Sequence, residues 1–123
     1  MTSLSPDLLH DLHKADIETR TDLVSRTLYS TDASIYQIEP LGITFPRSPD
    51  QLAAIMEIAS QYEMPVIARG AGSGLAGQAI GEGIIIDCSR YLDRIHSIEP
   101  DGENGHAHAV VEPGVVLDTL NQA

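Results

Sequence analysis

The chain has 123 residues, 7 of them basic and 18 acidic, and a formal net charge of −11. This length allows one domain around a single core, and the negative charge argues against DNA, RNA or an acidic membrane surface as a partner. The sequence has no apolar run long enough to span a membrane and no signal-peptide pattern. Its single cysteine, Cys88, excludes an internal disulfide. A cytoplasmic setting is therefore expected, with Cys88 as a small buried residue.

Residues 1–35 are predicted to form a helical segment. The stretch from Leu4 to Lys14 predicts a short amphipathic helix, with Ser5 as its N-cap and an apolar face of Leu8, Leu9 and Leu12. A second helix is expected to begin after a cap at Thr21 and to end near Tyr29, with an inward face of Leu23, Val24 and Leu28.

Three apolar runs, at residues 43–45, 66–68 and 84–86, predict strands. A capping box at Ser48–Gln51 begins a predicted helix that ends near Tyr62, between the first two strands. The unbroken apolar character of the second and third runs predicts strands that are buried on both faces. The order of strand, helix, strand, loop and strand predicts a small parallel sheet with crossovers.

The last third predicts a hairpin and the start of a helix. Strands at residues 95–98 and 106–111 flank a strong turn signal, and a helix is expected from Val115. His106 and His108 share a strand face, but an exposed strand is favoured over a metal site because no third ligand is close. No C-cap signal precedes Ala123, so we expect an incomplete domain from the front of a larger protein. Such a domain exposes apolar surface and can self-associate.

The loop from Arg69 to Gly77 is the most informative feature of the sequence. It contains four glycines and follows a predicted strand, and residues 64–81 contain no acidic residue. Glycine allows a positive φ and leaves no Cβ in the way of a ligand, so successive N–H groups in such a loop can converge on a phosphate. Arg69 adds a positive charge at the start of the loop.

Two common phosphate loops do not fit these residues. Gly72, Gly74 and Gly77 match the dinucleotide fingerprint, but only six residues separate Gly77 from the strand at Ile84, too few for a crossover helix. A P-loop is excluded because no Gly-Lys-Ser/Thr follows. The remaining interpretation is a glycine loop that wraps a pyrophosphate without a helix behind it.

Four spaced motifs now identify a family resemblance: Phe45–Ser48 with the helix after it, Pro65–Ser73, Gly83–Asp87 and Val111–Gly114. From about Tyr36 to the end, the chain resembles the N-terminal part of the FAD-binding domain of vanillyl-alcohol oxidase / p-cresol methylhydroxylase type. FAD-linked oxidases such as glycolate oxidase subunits, D-lactate dehydrogenases and D-2-hydroxyglutarate dehydrogenases contain this domain. The segment Tyr29–Tyr36 looks like the long form, which is fused to iron–sulfur domains.

The resemblance implies an α+β fold: residues 36–123 would be the first lobe of an FAD-binding type-2 domain, a small parallel sheet flanked by helices with a C-terminal hairpin. In the family, main-chain N–H groups of the glycine loop hold the FAD pyrophosphate. The positions that match are Arg69, Gly70, Ala71, Gly72, Ser73, Gly74 and Gly77, with Gly114 a further match near the cofactor. Some relatives tether the flavin through a histidine at the position of Ser73, which serine cannot do, so a non-covalent FAD is expected.

The implied parent function is flavin-dependent oxidation of a small 2-hydroxy acid such as D-lactate or glycolate. No catalytic or metal-binding residue is expected in these 123 residues, and any iron–sulfur cluster would belong to the parent protein. The chain alone is expected to bind FAD weakly and to turn over no substrate. Two alternatives stay open: another flavin enzyme of the same fold, such as the cell-wall precursor reductase type, and a non-catalytic binding or assembly module that has lost flavin.

Overall fold

The computed structural model describes residues 3–123, with only the backbone of residue 101. Four helices and six strands follow one another in the order α1 (Pro6–Lys14), β1 (Glu18–Arg20), α2 (Leu23–Leu28), β2 (Gly42–Phe45), α3 (Pro49–Gln61), β3 (Val66–Arg69), β4 (Ile84–Asp87), β5 (Ile95–Asp101), β6 (His106–Val111) and α4 (Leu117–Gln122). The predicted α+β class is confirmed.

Four strands form a sheet in the order β1-β2-β4-β3. The three predicted strands β2, β4 and β3 run parallel, as expected, and β4 is central and fully buried. β1 is an addition that the sequence did not indicate. It pairs antiparallel with β2, with Glu18 opposite Phe45 and Arg20 opposite Ile43. Its three polar residues carry no strand pattern, so this strand depends on its tertiary partner.

Helices α1 and α3 pack against each other and share the main core with the sheet. Both begin at the predicted N-caps: the hydroxyl oxygen of Ser5 accepts from the Leu8 N–H, and that of Ser48 accepts from the Gln51 N–H, each at 3.2 Å. The main core contains Leu8 and Leu12 of α1 and Ile55 and Ala59 of α3, together with Ile84, Ile86 and Cys88. Cys88 is buried, as predicted, and burial raises the pKa of its thiol.

The prediction for α2 was wrong in its cap and in its orientation. Asp22, and not Thr21, caps the helix, because its carboxylate accepts from the Ser25 N–H at 3.0 Å. The side chains predicted to point inward are 66%, 71% and 68% exposed, in the order Leu23, Val24 and Leu28. The polar side of the helix faces the protein instead, because Arg26 donates to the Pro40 carbonyl oxygen at 2.9 Å and pairs with Glu39 at 2.9 Å.

The prediction that β3 is buried on both faces was also wrong. β3 lies at the edge of the sheet and pairs only with β4, and Ala68 is exposed while Val66, Ile67 and Arg69 are partly exposed. An unbroken apolar run does not tell a central strand from an edge strand.

The predicted hairpin is confirmed in β5 and β6, with a bulge between Ile95 and Ser97. All six residues of β6 are exposed, including His106 and His108. The hairpin is anchored at Glu112, where the main chain donates to the Arg94 carbonyl oxygen and the carboxylate accepts from the Arg94 N–H at 3.0 Å. Of the helices described, from α1 to α4, none is both long enough and apolar enough to cross a membrane.

Candidate functional site

The glycine loop lies at the carboxyl end of the parallel sheet. Arg69 is the last residue of β3 and lies opposite Asp87, the last residue of β4. The Cys88 N–H donates to the Arg69 carbonyl oxygen at 2.9 Å and so extends the pairing by one residue. In open sheets with parallel strands, ligands bind beyond the carboxyl ends of the strands. The loop therefore occupies a position that suits a ligand site.

Main-chain N–H groups of the loop are available to a ligand. Within residues 3–123, the N–H groups of residues 70 to 75 donate no hydrogen bond to the protein, and Gly70, Ala71 and Ser73 are exposed. Gly72 and Gly77 have φ values of +69° and +80°, which a residue with a Cβ adopts only under strain. Groups of this kind are the ones that bind anions in backbone loops.

Arg69 is tied into the protein rather than extended into solvent. Its Nη1 donates to the carbonyl oxygens of Thr31 at 2.9 Å and Ala79 at 3.3 Å. Its guanidinium carbon lies 5.0 Å from the centroid of the Tyr29 ring. An ideal Cβ placed on Gly72 would lie 2.6 Å from Arg69 Nη2, so the guanidinium lies against the loop. Arg69 thus brings positive charge to the loop and also joins the loop to the segment around Thr31.

The segment Thr31–Tyr36 forms a wall beside the loop that the sequence did not indicate. The Ala33 N–H donates to the Gly72 carbonyl oxygen at 2.9 Å, and the Tyr36 ring lies 3.1 Å from where a Cβ on Gly77 would be. Asp32 accepts from the Ser34 N–H at 2.8 Å and from the Ala79 N–H at 3.4 Å. Contacts between residues about 40 positions apart leave no local pattern in the sequence. In the sequence, the same segment showed only a resemblance to the long form of the family.

Asp32 also limits the charge argument made from the sequence. The interval without acidic residues, 64–81, is a feature of the linear sequence. In the folded chain, Asp32 brings a carboxylate close to the loop from outside that interval. Hydrogen bonding by Ser34 lowers the pKa of Asp32, which keeps the carboxylate ionised. The positive charge of Arg69 lowers this pKa further, so the two side chains partly offset each other at the loop.

Asp87 and Tyr29 form a second connection at the carboxyl end of the sheet. The Tyr29 hydroxyl donates to Oδ2 of Asp87, a carboxylate that is only 4% exposed. Oδ1 of Asp87 accepts from the Ser89 N–H at 2.8 Å and from the Ser89 hydroxyl at 2.6 Å, a bond pattern that fixes the turn after β4. Burial, together with the bond to Asp87, raises the pKa of Tyr29 to about 12.

Half of the predicted binding residues line one open groove of about 410 Å³. Its walls are the loop, the turn after β4 and the start of α4, and its lining includes Gly70, Ala71, Ser73 and Gly114. The remaining predicted residues, Arg69, Gly72, Gly74 and Gly77, lie in the same loop outside this lining. Leu117 and Asp118 of α4 also line the groove, and no sequence pattern indicated that they would lie there.

Gly114 has a packing reason to be glycine. An ideal Cβ at this position would lie 2.2 Å from the Cys88 carbonyl oxygen and 2.5 Å from that of Leu92. The Gly114 N–H donates to the Leu92 carbonyl oxygen at 2.7 Å, so it is not free for a ligand. Any contact of Gly114 with a cofactor would therefore involve its Cα or its carbonyl group.

A second groove lies between α1 and β1, and its lining includes Glu18 and Arg47. Glu18 accepts from the Tyr91 hydroxyl at 2.6 Å and pairs with Arg90 at 3.1 Å and Arg47 at 3.4 Å. Glu18 therefore forms ion pairs with both arginines. Among the side chains that the structure describes, no three or more of His, Cys, Asp and Glu lie where they could hold a metal ion.

Comparison with known proteins places the chain in a family. A family model described as an FAD binding domain matches residues 40–123, more than half of the chain, and the chain belongs to this family. It is 44% identical over 108 residues to D-2-hydroxyglutarate dehydrogenase of Escherichia coli K12, a match that covers 85% of this chain and 10% of that protein. It is 35% identical over 98 residues to glycolate oxidase subunit GlcD of Bacillus subtilis 168, covering 77% and 20%.

Solved structures show the same fold. p-Cresol methylhydroxylase aligns with a TM-score of 0.78 at 16% identity, over 94% of this chain and 23% of that one. 4-Ethylphenol oxidase from Gulosibacter chungangensis aligns with a TM-score of 0.77 at 20% identity, over 97% and 24%. The expected resemblance to FAD-linked oxidases is confirmed. The chain is an FAD-binding domain that is similar to part of D-2-hydroxyglutarate dehydrogenase and of glycolate oxidase subunit GlcD, and it spans a tenth to a fifth of the length of these two relatives.

Proposed function

We propose that this chain is the FAD-binding part of an oxidoreductase that oxidises a small 2-hydroxy acid. Two relatives that match most of the chain are named for such acids, D-2-hydroxyglutarate and glycolate. A bound flavin supplies hydride acceptance and electron transfer, and the protein supplies binding and orientation. The substrate we propose is a small 2-hydroxy acid such as D-lactate or glycolate, and the groups that choose among such acids would lie in the parent protein outside these residues.

The observation that carries this proposal is the run of N–H groups from residue 70 to residue 75, which donate no hydrogen bond within the described part of the chain. We propose that these groups, from Gly70, Ala71, Gly72, Ser73 and Gly74, donate to the diphosphate of FAD. The glycines fit this task, because a Cβ on Gly72 would occupy the space of the Arg69 guanidinium and would strain a φ of +69°. The proposed diphosphate site is thus formed by the main-chain N–H groups, the glycines and Arg69 of this loop.

Three further residues complete the proposed binding set. Arg69 contributes positive charge from behind the loop, Gly77 gives the loop its second turn at a positive φ, and Gly114 forms part of the groove wall. Ser73 is exposed and its hydroxyl can donate one more hydrogen bond to an anion. Because a serine hydroxyl does not form the covalent flavin link that a histidine forms, we propose that FAD is held non-covalently.

The experiment is a flavin titration of the chain against the double variant Arg69→Ala, Gly72→Ala, with Gly102→Ala as the matched control. A Cβ on Gly102 would meet no atom within 4 Å, so the control changes a glycine without disturbing a contact. We expect weak binding by the chain and by the control, and a loss of binding in the double variant. Identical behaviour of all three proteins would favour the non-flavin module over a flavin site.

A further inference from the structure

Tyr29 contacts the last residue of each parallel strand. Its ring meets the Phe45 ring of β2 edge to face, with centroids 6.1 Å apart. The Arg69 guanidinium of β3 lies 5.0 Å from the same ring, and the Tyr29 hydroxyl donates to Asp87 of β4. Tyr29 follows α2 directly and is partly buried. One side chain therefore connects the ends of β2, β3 and β4. The glycine loop follows the second of these strands, and the turn at Ser89 follows the third.

Arg69 is the link between Tyr29 and the loop. One side of the guanidinium faces the Tyr29 ring, while Nη2 lies nearest to the position that a Cβ of Gly72 would take. Nη1 is held by the carbonyl oxygens of Thr31 and Ala79. A cation over an aromatic face is attracted by the ring, and this attraction strengthens when the pair is partly removed from water. The ring thus favours the one arginine conformation that contacts the loop.

We propose that Tyr29 is a positioning residue for the diphosphate loop and that it acts through Arg69. Within the described part of the chain, Tyr29 makes no hydrogen bond with the N–H groups of residues 70–75, so the proposal does not count it among the binding residues. The ring holds the guanidinium, and the hydrogen bond to Asp87 holds the hydroxyl end of the side chain in place. The proposal rests on the proposed function, because it concerns the geometry of the loop that would bind the diphosphate.

The chain contains a matched control for this residue. The Tyr62 hydroxyl also donates to a carboxylate, that of Asp11, at 2.5 Å. Like Tyr29, Tyr62 is partly buried and follows a helix. It joins α3 to α1 and packs against the main core, before β3 begins, whereas the glycine loop follows the other end of β3. Tyr62→Leu therefore removes a comparable tyrosine and its hydrogen bond at a place where the proposal predicts no effect on FAD.

The experiment compares FAD affinity and melting temperature for Tyr29→Leu, Tyr29→Phe and Tyr62→Leu, each alone and combined with Arg69→Ala. We expect Tyr29→Leu to weaken FAD binding about fivefold, the size of one cation–π contact, and Tyr29→Phe to weaken it less than about twofold because the ring remains. Tyr62→Leu should leave the affinity unchanged. In the Arg69→Ala background, Tyr29→Leu should cause no further loss of affinity, although it still lowers the melting temperature.

An equal loss of affinity from Tyr29→Leu in both backgrounds would overturn the proposal, and so would an equal loss from Tyr62→Leu. If the unchanged chain shows no FAD binding, the proposed function fails. The inference can then still be tested without ligand, by comparing the amide NMR resonances of the loop among the variants. A shift of the Gly72 resonance in Tyr29→Leu that is missing in Tyr29→Phe and Tyr62→Leu would support it. The same Gly72 resonance in all three variants would overturn it.

Discussion

Arg69 Nη1 donates a 2.9 Å hydrogen bond to the carbonyl oxygen of Thr31. This bond joins two parts of the chain that lie 38 residues apart. It gives the guanidinium a structural task in addition to its charge, because the arginine holds the glycine loop against the segment Thr31–Tyr36. Arg69 therefore supports the loop from the side of the Thr31 carbonyl group.

The first prediction separates the two properties of Gly72, its positive φ and its contact with Arg69. Gly105 has nearly the same φ, +68° against +69°, but a Cβ there would meet no atom within 4 Å. Both Gly72→Ala and Gly105→Ala should lower stability by about 1–2 kcal/mol through backbone strain. Only Gly72→Ala should weaken FAD binding, because its Cβ displaces the flexible end of Arg69.

Thermal unfolding and flavin titration of both variants check this prediction. A loss of FAD binding in Gly105→Ala as large as that in Gly72→Ala would show that general destabilisation is responsible.

The second prediction concerns Gly114, where the atoms that a Cβ would meet are backbone carbonyl oxygens that cannot turn aside. Gly114→Ala should destabilise the chain by about 1–3 kcal/mol or more, the usual range for overpacking. Thermal unfolding without any flavin measures this directly, with Gly102→Ala as the neutral control. A Gly114→Ala variant as stable as the control would contradict the packing account.

The third prediction is a pH dependence that arises at Glu18. The hydrogen bond from Tyr91, aided by Arg90 and Arg47, lowers the pKa of Glu18 below its ordinary value of 4.5, although partial burial opposes the shift. A pKa that is lower in the folded state adds stability above about 4.5, and this stability is lost as the pH falls through the folded value. Glu18→Gln should therefore lower the melting temperature most near neutral pH.

The melting-temperature difference between Glu18→Gln and the unchanged chain should shrink as the pH falls below 4.5. Glu57→Gln is the control, because Glu57 is exposed on α3. A melting-temperature difference for Glu18→Gln that stays constant across this pH range would show that the charge of Glu18 does not contribute to stability.

The fourth prediction tests the orientation of α2. Leu23 is 66% exposed and Leu8 is 1% exposed, so truncation should affect them very differently. Leu8→Ala should cost about 2–5 kcal/mol of stability, whereas Leu23→Ala should change it by less than about 0.5 kcal/mol. Chemical denaturation of both variants gives the two values. A large loss from Leu23→Ala would mean that α2 packs with its apolar side inward.

Elements with local signals could be predicted from the sequence. Ser5 and Ser48 cap their helices through bonds to residues three positions later, a spacing that is visible in the chain. The return bond of the second capping box differs slightly, because Gln51 accepts from the Arg47 N–H at 2.9 Å rather than from that of Ser48. The apolar runs at residues 66–68 and 84–86 were likewise recognisable as strands, although only the second is buried on both faces.

The missed features depend on partners that are distant in sequence. β1 exists because it pairs with β2, and β3 is an edge strand because only β4 pairs with it. At the candidate site, the glycines showed where the loop is, whereas nothing in the loop indicated that Thr31, Asp32 and Tyr36 lie against it. Local patterns therefore located the glycine loop, whereas the segment that supports the loop became visible only in the tertiary structure.

The most direct test of the central claim is the residue-by-residue change in amide NMR resonances of the chain on addition of FAD, ADP or riboflavin. If the loop binds a diphosphate, FAD and ADP should shift the resonances of residues 70–75 most, and riboflavin, which has no phosphate, should leave them in place. Equal shifts with riboflavin, or shifts that spare residues 70–75 while other regions respond, would contradict the account.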